Sequence, residues 1–211
     1  MIASRAGSDA LHTLDELDAS LRALKPEQKL PLLQLALPAL RQLQPTALTP
    51  FLDTLDELVH ADGQVSAFEF ALQKLLVRTL ALGRDPSRAG VVQFYSFNAL
   101  TAEISVVLSA VAHTSSNVDL DARAAFAEGT AQIKLIEHQL AFLDESASGF
   151  AALDGALDKL AAASLPIKQR TLVACAHIVG ADGQILIAEA ELLRAISAAL
   201  DVPMPPILAA A

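Results

Sequence analysis

A short acidic turn occurs twice in this chain. Ala61-Asp62-Gly63-Gln64-Val65, with Glu69 following, returns 120 residues later as Ala181-Asp182-Gly183-Gln184-Ile185, with Glu189 in the same register. The copy extends into both flanks. Leu52, Leu55 and Val59 before the first turn match Leu172, Cys175 and Val179 before the second. Val65, Leu72, Leu76 and Leu80 after it match Ile185, Leu192, Ile196 and Leu200. Apolar residues at helical spacing on each side predict helix, Asp-Gly turn, helix in both copies. A lone helix pair cannot bury its apolar face, so such a chain must pack helix against helix.

Composition points the same way. Apolar residues make up 53% of the 211, aromatics only 4%, and Trp is absent. The core must be built from Ala and Leu, which favours closely packed helices over a sheet sandwich. Charged residues are only 18% and the mean hydropathy is +0.43, values that suit either a membrane protein or a surface partly covered by a partner. The longest uncharged run, Ile104 to Val118, has 15 residues and includes Ser, His, Thr and Asn. A membrane span needs about 20 apolar residues, and no apolar signal segment opens the chain. The expectation is therefore no direct membrane insertion and a partner-covered surface. With a net charge of −9 and scattered Lys and Arg, nucleic acid is not an expected partner. The single Cys175 lies on an apolar helical stripe, which predicts a buried thiol in a reducing, cytoplasmic setting.

The periodicity predicts an all-α fold of about nine helices. A first helix runs to about Leu24 on a stripe of Leu11, Leu14, Leu17 and Leu21. A second, over residues 29–43, is apolar on most sides and so is expected at the centre. A third is expected to start at Thr49-Pro50, with the Thr as N-cap and the Pro at the first helical position. Ser66-Ala67-Phe68-Glu69 has the form of a capping box and opens a fourth. Residues 83–98 read as loop, with Val91–Tyr95 an extended segment laid on the helices. Thr101 is expected to cap a helix through Ile104, Val107, Leu108 and Val111 to His113; a helix from about Asp119 to His138, with Gly129 as its weak point, and a connector over 141–148 follow. Three more helices fall near 150–163, 166–180 and 186–200. The expected organisation is a single all-helical domain, 1–211, made of two pseudo-symmetric helix-turn-helix halves (about 26–82 and 150–208) around a helical insertion (about 84–149).

The candidates for chemistry are few. Asp62, Glu69, Asp182 and Glu189 are the candidate metal ligands, able in principle to hold a divalent cation at the acidic turns. An EF-hand closes its loop with a Glu about eleven residues after the first Asp, whereas here the spacing is seven. The alternative assignment is structural: Asp-Gly supplies a left-handed turn, and each Glu caps the helix that follows. In the second copy Leu186 stands where Ser66 stands in the first, leaving Glu189 half a box. His12, His60, His113, His138 and His177 include no His-Glu-x-x-His and no pair at helical ligand spacing. Neither a nucleophile elbow nor a phosphate-binding Gly loop occurs. The expectation is no catalytic set and no cofactor on this chain.

Two families resemble it on these residues. The repeated Ala-Asp-Gly-x-[Val/Ile]-x-x-x-Glu, at Asp62, Gly63 and Glu69 and again at Asp182, Gly183 and Glu189, resembles TerB-like domains. Those are all-helical acidic bundles with two such turns, to which metal-ion binding is ascribed. A longer likeness covers residues 10–208: Leu30-Pro31-Leu32-Leu33-Gln34-Leu35 through Leu43, the Ala-Asp-Gly turn with Phe68-Glu69 and Leu72–Leu76, and Ala190–Ile196 closing on Pro203-Met204-Pro205-Pro206. This is similar to the C-terminal soluble region of bacterial HtpX-like membrane zinc metallopeptidases. The resemblance implies a non-catalytic cytoplasmic accessory or regulatory domain, tethered to the inner membrane through an N-terminal part. Its partner would be the membrane-embedded peptidase domain, which alone would carry zinc.

Overall fold

The computed structural model describes residues 7–61, 63, 65–82, 91–115 and 121–204, and the chain divides into two compact units, Met1–Arg84 and Asp85–Ala211. Among the described residues it is all-helical, with ten α-helices and no strand.

The first unit holds α1 (Ser8–Arg22), α2 (Pro26–Leu40), α3 (Pro45–Val59) and α4 (Ala67–Leu82). Its core is a cluster of Leu48, Leu55 and Val59 from α3 with Leu76 and Leu80 from α4. Two expectations fail here. The second helix is not central: only Leu30 is buried, and Leu35 is 79% exposed. Its apolar faces outnumber its neighbours, since it packs chiefly on α4, so one stripe is buried and the rest meets solvent. Nor does the third helix begin at Thr49-Pro50. It begins at Pro45, which takes the first-turn position where a missing N–H costs nothing, and Pro50 is carried inside. Helix α1 is amphipathic as expected, yet none of its residues is buried.

The second unit is built around α5 (Thr101–Ser115), with nine of its fifteen residues buried. Around it lie α6 (Ala122–Thr130), the single turn α7 (Glu145–Ser148), α8 (Phe150–Ala161), α9 (Leu165–Val179) and α10 (Ile187–Leu200). Helix α5 packs on all five. The region expected as an insertion thus supplies the centre of this unit. Small residues allow close approach: Gly129 of α6 sits where a Cβ would lie 2.6 Å from the Ile178 side chain of α9.

The predicted helix over 119–138 is shorter than expected, its described part ending at Thr130. Gly129 and the β-branched Thr130 weaken propagation. The chain then winds through turns that bury Ile133 and Ile136. The extended segment after residue 90 is present. Phe94 bridges Ala163 in parallel fashion, its N–H and that of Gln93 reaching the Ala162 carbonyl and its carbonyl accepting from Ser164 N at 2.8 Å.

The connector before α7 is held by side chains of α5. Ser105 Oγ accepts from Ala141 N–H at 3.1 Å and Ser109 Oγ from Leu143 N–H at 3.0 Å. His113 Nε2 lies 2.9 Å from the Leu143 carbonyl; a carbonyl only accepts, so Nε2 carries the proton. Phe142 between them packs against His113, edge-on to Phe126, and under the Arg123 guanidinium. Polar residues four apart on an otherwise buried helix are thereby satisfied.

Candidate functional site: the two acidic turns and their surroundings

Each turn is made the same way. Helix α3 ends at Val59, and Gly63 N–H returns to the His60 carbonyl at 3.2 Å. Helix α9 ends at Val179, and Gly183 N–H returns to the Gly180 carbonyl at 3.1 Å. Gly63 and Gly183 have φ of 78° and 77°, the left-handed region that a side chain disfavours. The repeat read in the sequence is a repeat of local backbone geometry.

The acidic side chains serve mainly to start the next helix. At the first turn Glu69 Oε2 accepts from Ser66 N at 2.9 Å and Ser66 Oγ at 2.7 Å, while Ser66 Oγ accepts from Glu69 N at 3.2 Å. Both halves of the capping box form. Asp56, one turn before, accepts from Gln73 Nε2 at 2.8 Å and so ties α3 to α4. Asp62 lies outside the described residues. At the second turn Asp182 Oδ1 accepts from Gln184 N at 2.9 Å, an Asx turn. Glu189 Oε2 accepts from Leu186 N at 2.5 Å. Leu186 has no hydroxyl to return the bond, so the box here is half made.

The two glutamates differ in surroundings. Glu69 is half-buried, whereas Glu189 is 2% exposed. Burial pushes the Glu189 carboxyl above the ordinary carboxylate range, and the charge of Asp182 adds to this. The Leu186 N–H and the nearby Ser115 hydroxyl oppose the shift. Ser115 Oγ is itself buried and makes no bond of hydrogen-bonding geometry with any described residue. The arrangement brings Asp182 and Glu189 within electrostatic reach of each other, but among the described residues no group of three or more His, Cys, Asp or Glu converges as cation ligands would.

The remaining reactive side chains are placed as structural parts. Cys175 is fully buried in α9, and burial pushes its thiol up to about 12, far from a nucleophile. His60 Nδ1 lies 2.8 Å from the Asp56 carbonyl at the end of α3, the usual duty of a helix-end histidine. Among the described residues no helix is long and apolar enough to cross a membrane.

Two concavities lie away from the acidic turns. On the first unit, Leu43, Ala47, Pro50, Phe51, Thr54 and Leu58 line an apolar groove of about 530 Å³. On the second, Lys134 and Arg170, thirty-six positions apart, meet at a cleft of about 340 Å³. The first has a signal in the sequence, an apolar stripe on α3 wider than one neighbour can cover; the second has none. No protein-family model, curated protein or solved structure matches this chain.

Proposed function

We propose that this chain is a non-catalytic, cytoplasmic accessory domain of a membrane zinc metallopeptidase, one that regulates the peptidase or presents its substrates. The observation that carries this reading is the apolar surface of the first unit. The α3 groove, with Leu58 42% exposed, and separately the outward Leu32 and Leu35 of α2 are apolar surface of the kind that partners cover. The residues resembling the HtpX-like C-terminal region, Leu30 to Leu43 above all, are those that present part of this surface. The partner is the peptidase domain of the same protein, which would hold the zinc.

The genomic frame upstream of Met1 tests the reading. A continuous frame encoding His-Glu-x-x-His and membrane spans is the expected result. A stop codon immediately upstream, with no such frame adjacent, overturns it, as does chelator-sensitive proteolysis by this chain alone.

A second reading, a stand-alone TerB-like module binding a divalent cation or a protein partner through its acidic turns, is favoured in its cation form by one observation. Asp182 and Glu189 feel each other's charge at a single turn. Calorimetry with calcium, magnesium and zinc tests it. Unchanged affinity in Asp62→Ala and Asp182→Ala ends it.

A further inference from the structure

The cleft of the second unit has walls of two kinds. Phe97, Leu135 and Pro166 are apolar, while Lys134, Arg170 and Gln132 are polar. Leu135 is 76% exposed, a large apolar side chain standing at the cleft in open solvent. Lys134 and Arg170 are exposed, and neither makes an ion pair or hydrogen bond with any described residue. Most other described cations are engaged: Arg22 with Asp18, Lys159 with Glu103, Arg123 over Phe142, Lys29 over Phe68. Gln132 is held only loosely, its Nε2 3.4 Å from the Glu128 carbonyl. In a chain of net charge −9, two uncompensated cations at one concave site make a local positive field. Pro166 and Arg170 belong to the first turns of α9, whose positive dipole end adds to it.

We propose that this cleft binds a small carboxylate carrying an apolar body. The Arg170 guanidinium is a planar fork that matches a carboxylate with two parallel hydrogen bonds, and Lys134 supplies a second, point-like charge. The apolar body lies on Phe97, Leu135 and Pro166. An inorganic anion would leave these walls unused. The volume of about 340 Å³ is near the lower end of ligand pockets, about 300–1,000 Å³, so the ligand is small. The same chemistry is offered by a free short-chain acid and by the terminal carboxylate of a peptide ending in an apolar residue. The proposal does not depend on the accessory-domain reading, which rests on the other unit.

The test is a nitrogen-15 NMR titration of the full chain with acetate, butanoate and pentanoate, with inorganic phosphate, and with N-acetyl-Ala-Leu as free acid and as amide. The expected result is saturable shifts at Phe97, Leu135 and Arg170 and affinity rising roughly two- to fourfold per methylene. Arg170→Gln should weaken pentanoate binding about tenfold, and Lys134→Gln should weaken it in the same direction. Both side chains are exposed, so both variants keep the fold. Tighter binding of pentanoate assigns a free acid and tighter binding of the peptide acid a chain end; either supports the proposal. Shifts elsewhere, equal affinity for phosphate and pentanoate, equal binding of peptide acid and amide, or full affinity in both variants overturns it.

Discussion

Replacing Gly129 with alanine should destabilise the second unit, although the same change in an open helix stabilises. In a helix interior alanine is favoured over glycine by about 1 kcal/mol. Against this stands the contact with α9. An added Cβ would lie 2.6 Å from both Cδ1 and Cγ1 of Ile178 and 3.1 Å from the Ala174 carbonyl oxygen. Ordinary carbon–carbon contact is about 3.5–4.0 Å, so something must move by about an ångström. Ile178 is fully buried in an interior that is close-packed as a rule, and the Ala174 oxygen belongs to a helix backbone. Forcing a methyl into such a core costs about 1–3 kcal/mol; with two sites of conflict the upper part of that range applies. The net expectation is a loss of about 1–2 kcal/mol. Gly155 of α8 is the matched control: a Cβ there meets nothing within 4 Å, so Gly155→Ala should gain about 0.5–1 kcal/mol. Urea unfolding followed by helical circular dichroism reads both. A double-mutant cycle then isolates the cause. Ile178→Ala removes both offending carbons and alone costs about 2–5 kcal/mol, but with Gly129→Ala the total should fall short of the sum by at least about 1 kcal/mol. If Gly129→Ala stabilises as Gly155→Ala does, or if the double mutant is additive, the close approach of α6 and α9 is not what requires glycine.

Gly63→Ala and Gly183→Ala should each cost about 1–2 kcal/mol, since both positions hold left-handed φ; equal loss at the two sites by thermal unfolding is the check. Ser105→Ala and Ser109→Ala each orphan one N–H of the 141–143 connector and should cost about 1–2 kcal/mol, with faster amide exchange at Ala141 and Leu143 respectively; unchanged exchange would sink the assignment. Burial raises the Glu189 carboxyl above its ordinary 4.5, so the folded chain holds that proton more tightly than the unfolded chain does. Its contribution therefore favours folding at low pH and is lost as pH rises from 4.5 through the raised native value. Glu189→Gln should flatten that part of the profile of urea midpoint against pH, and a profile unmoved by the substitution refutes the attribution.

Periodicity made most of the helices legible, because amphipathic stripes and Asp-Gly turns are local signals. The capping box at Ser66 and Glu69 was legible for the same reason: its four residues decide it among themselves. What the sequence did not disclose depends on neighbours. Helix α2 is apolar on most sides, and only the number of helices packed on it determines how much is buried. Thr49-Pro50 carries the signature of a helix start, but Pro45 upstream competes for that role and takes it. Glu189 and Glu69 occupy the same place in the repeat, yet Glu189 is buried and Glu69 only half-buried, and the Ser115 that lies by Glu189 is seventy-four positions away in the sequence. Lys134 and Arg170 read as scattered charge because their meeting depends on how the turns after α6 fall against the start of α9.

The fastening of the connector to α5 sets two unlike periods against each other. Four helical residues advance about 6.0 Å, while two residues of extended chain advance about 6.6 Å. Ser105 and Ser109 match Ala141 and Leu143 within that difference, and the longer reach of His113 closes on the same residue's carbonyl. The arrangement works as a vernier: the mismatch of about 0.6 Å per step accumulates, so a hydrogen bond near 3 Å is stretched out of range after a few steps. The attachment is therefore limited in length by geometry rather than by sequence. Its tolerance of insertions is also lopsided. One residue added between Ala141 and Leu143 would turn the next N–H away from the helix, while a full turn added to α5 beyond His113 would leave every bond in place.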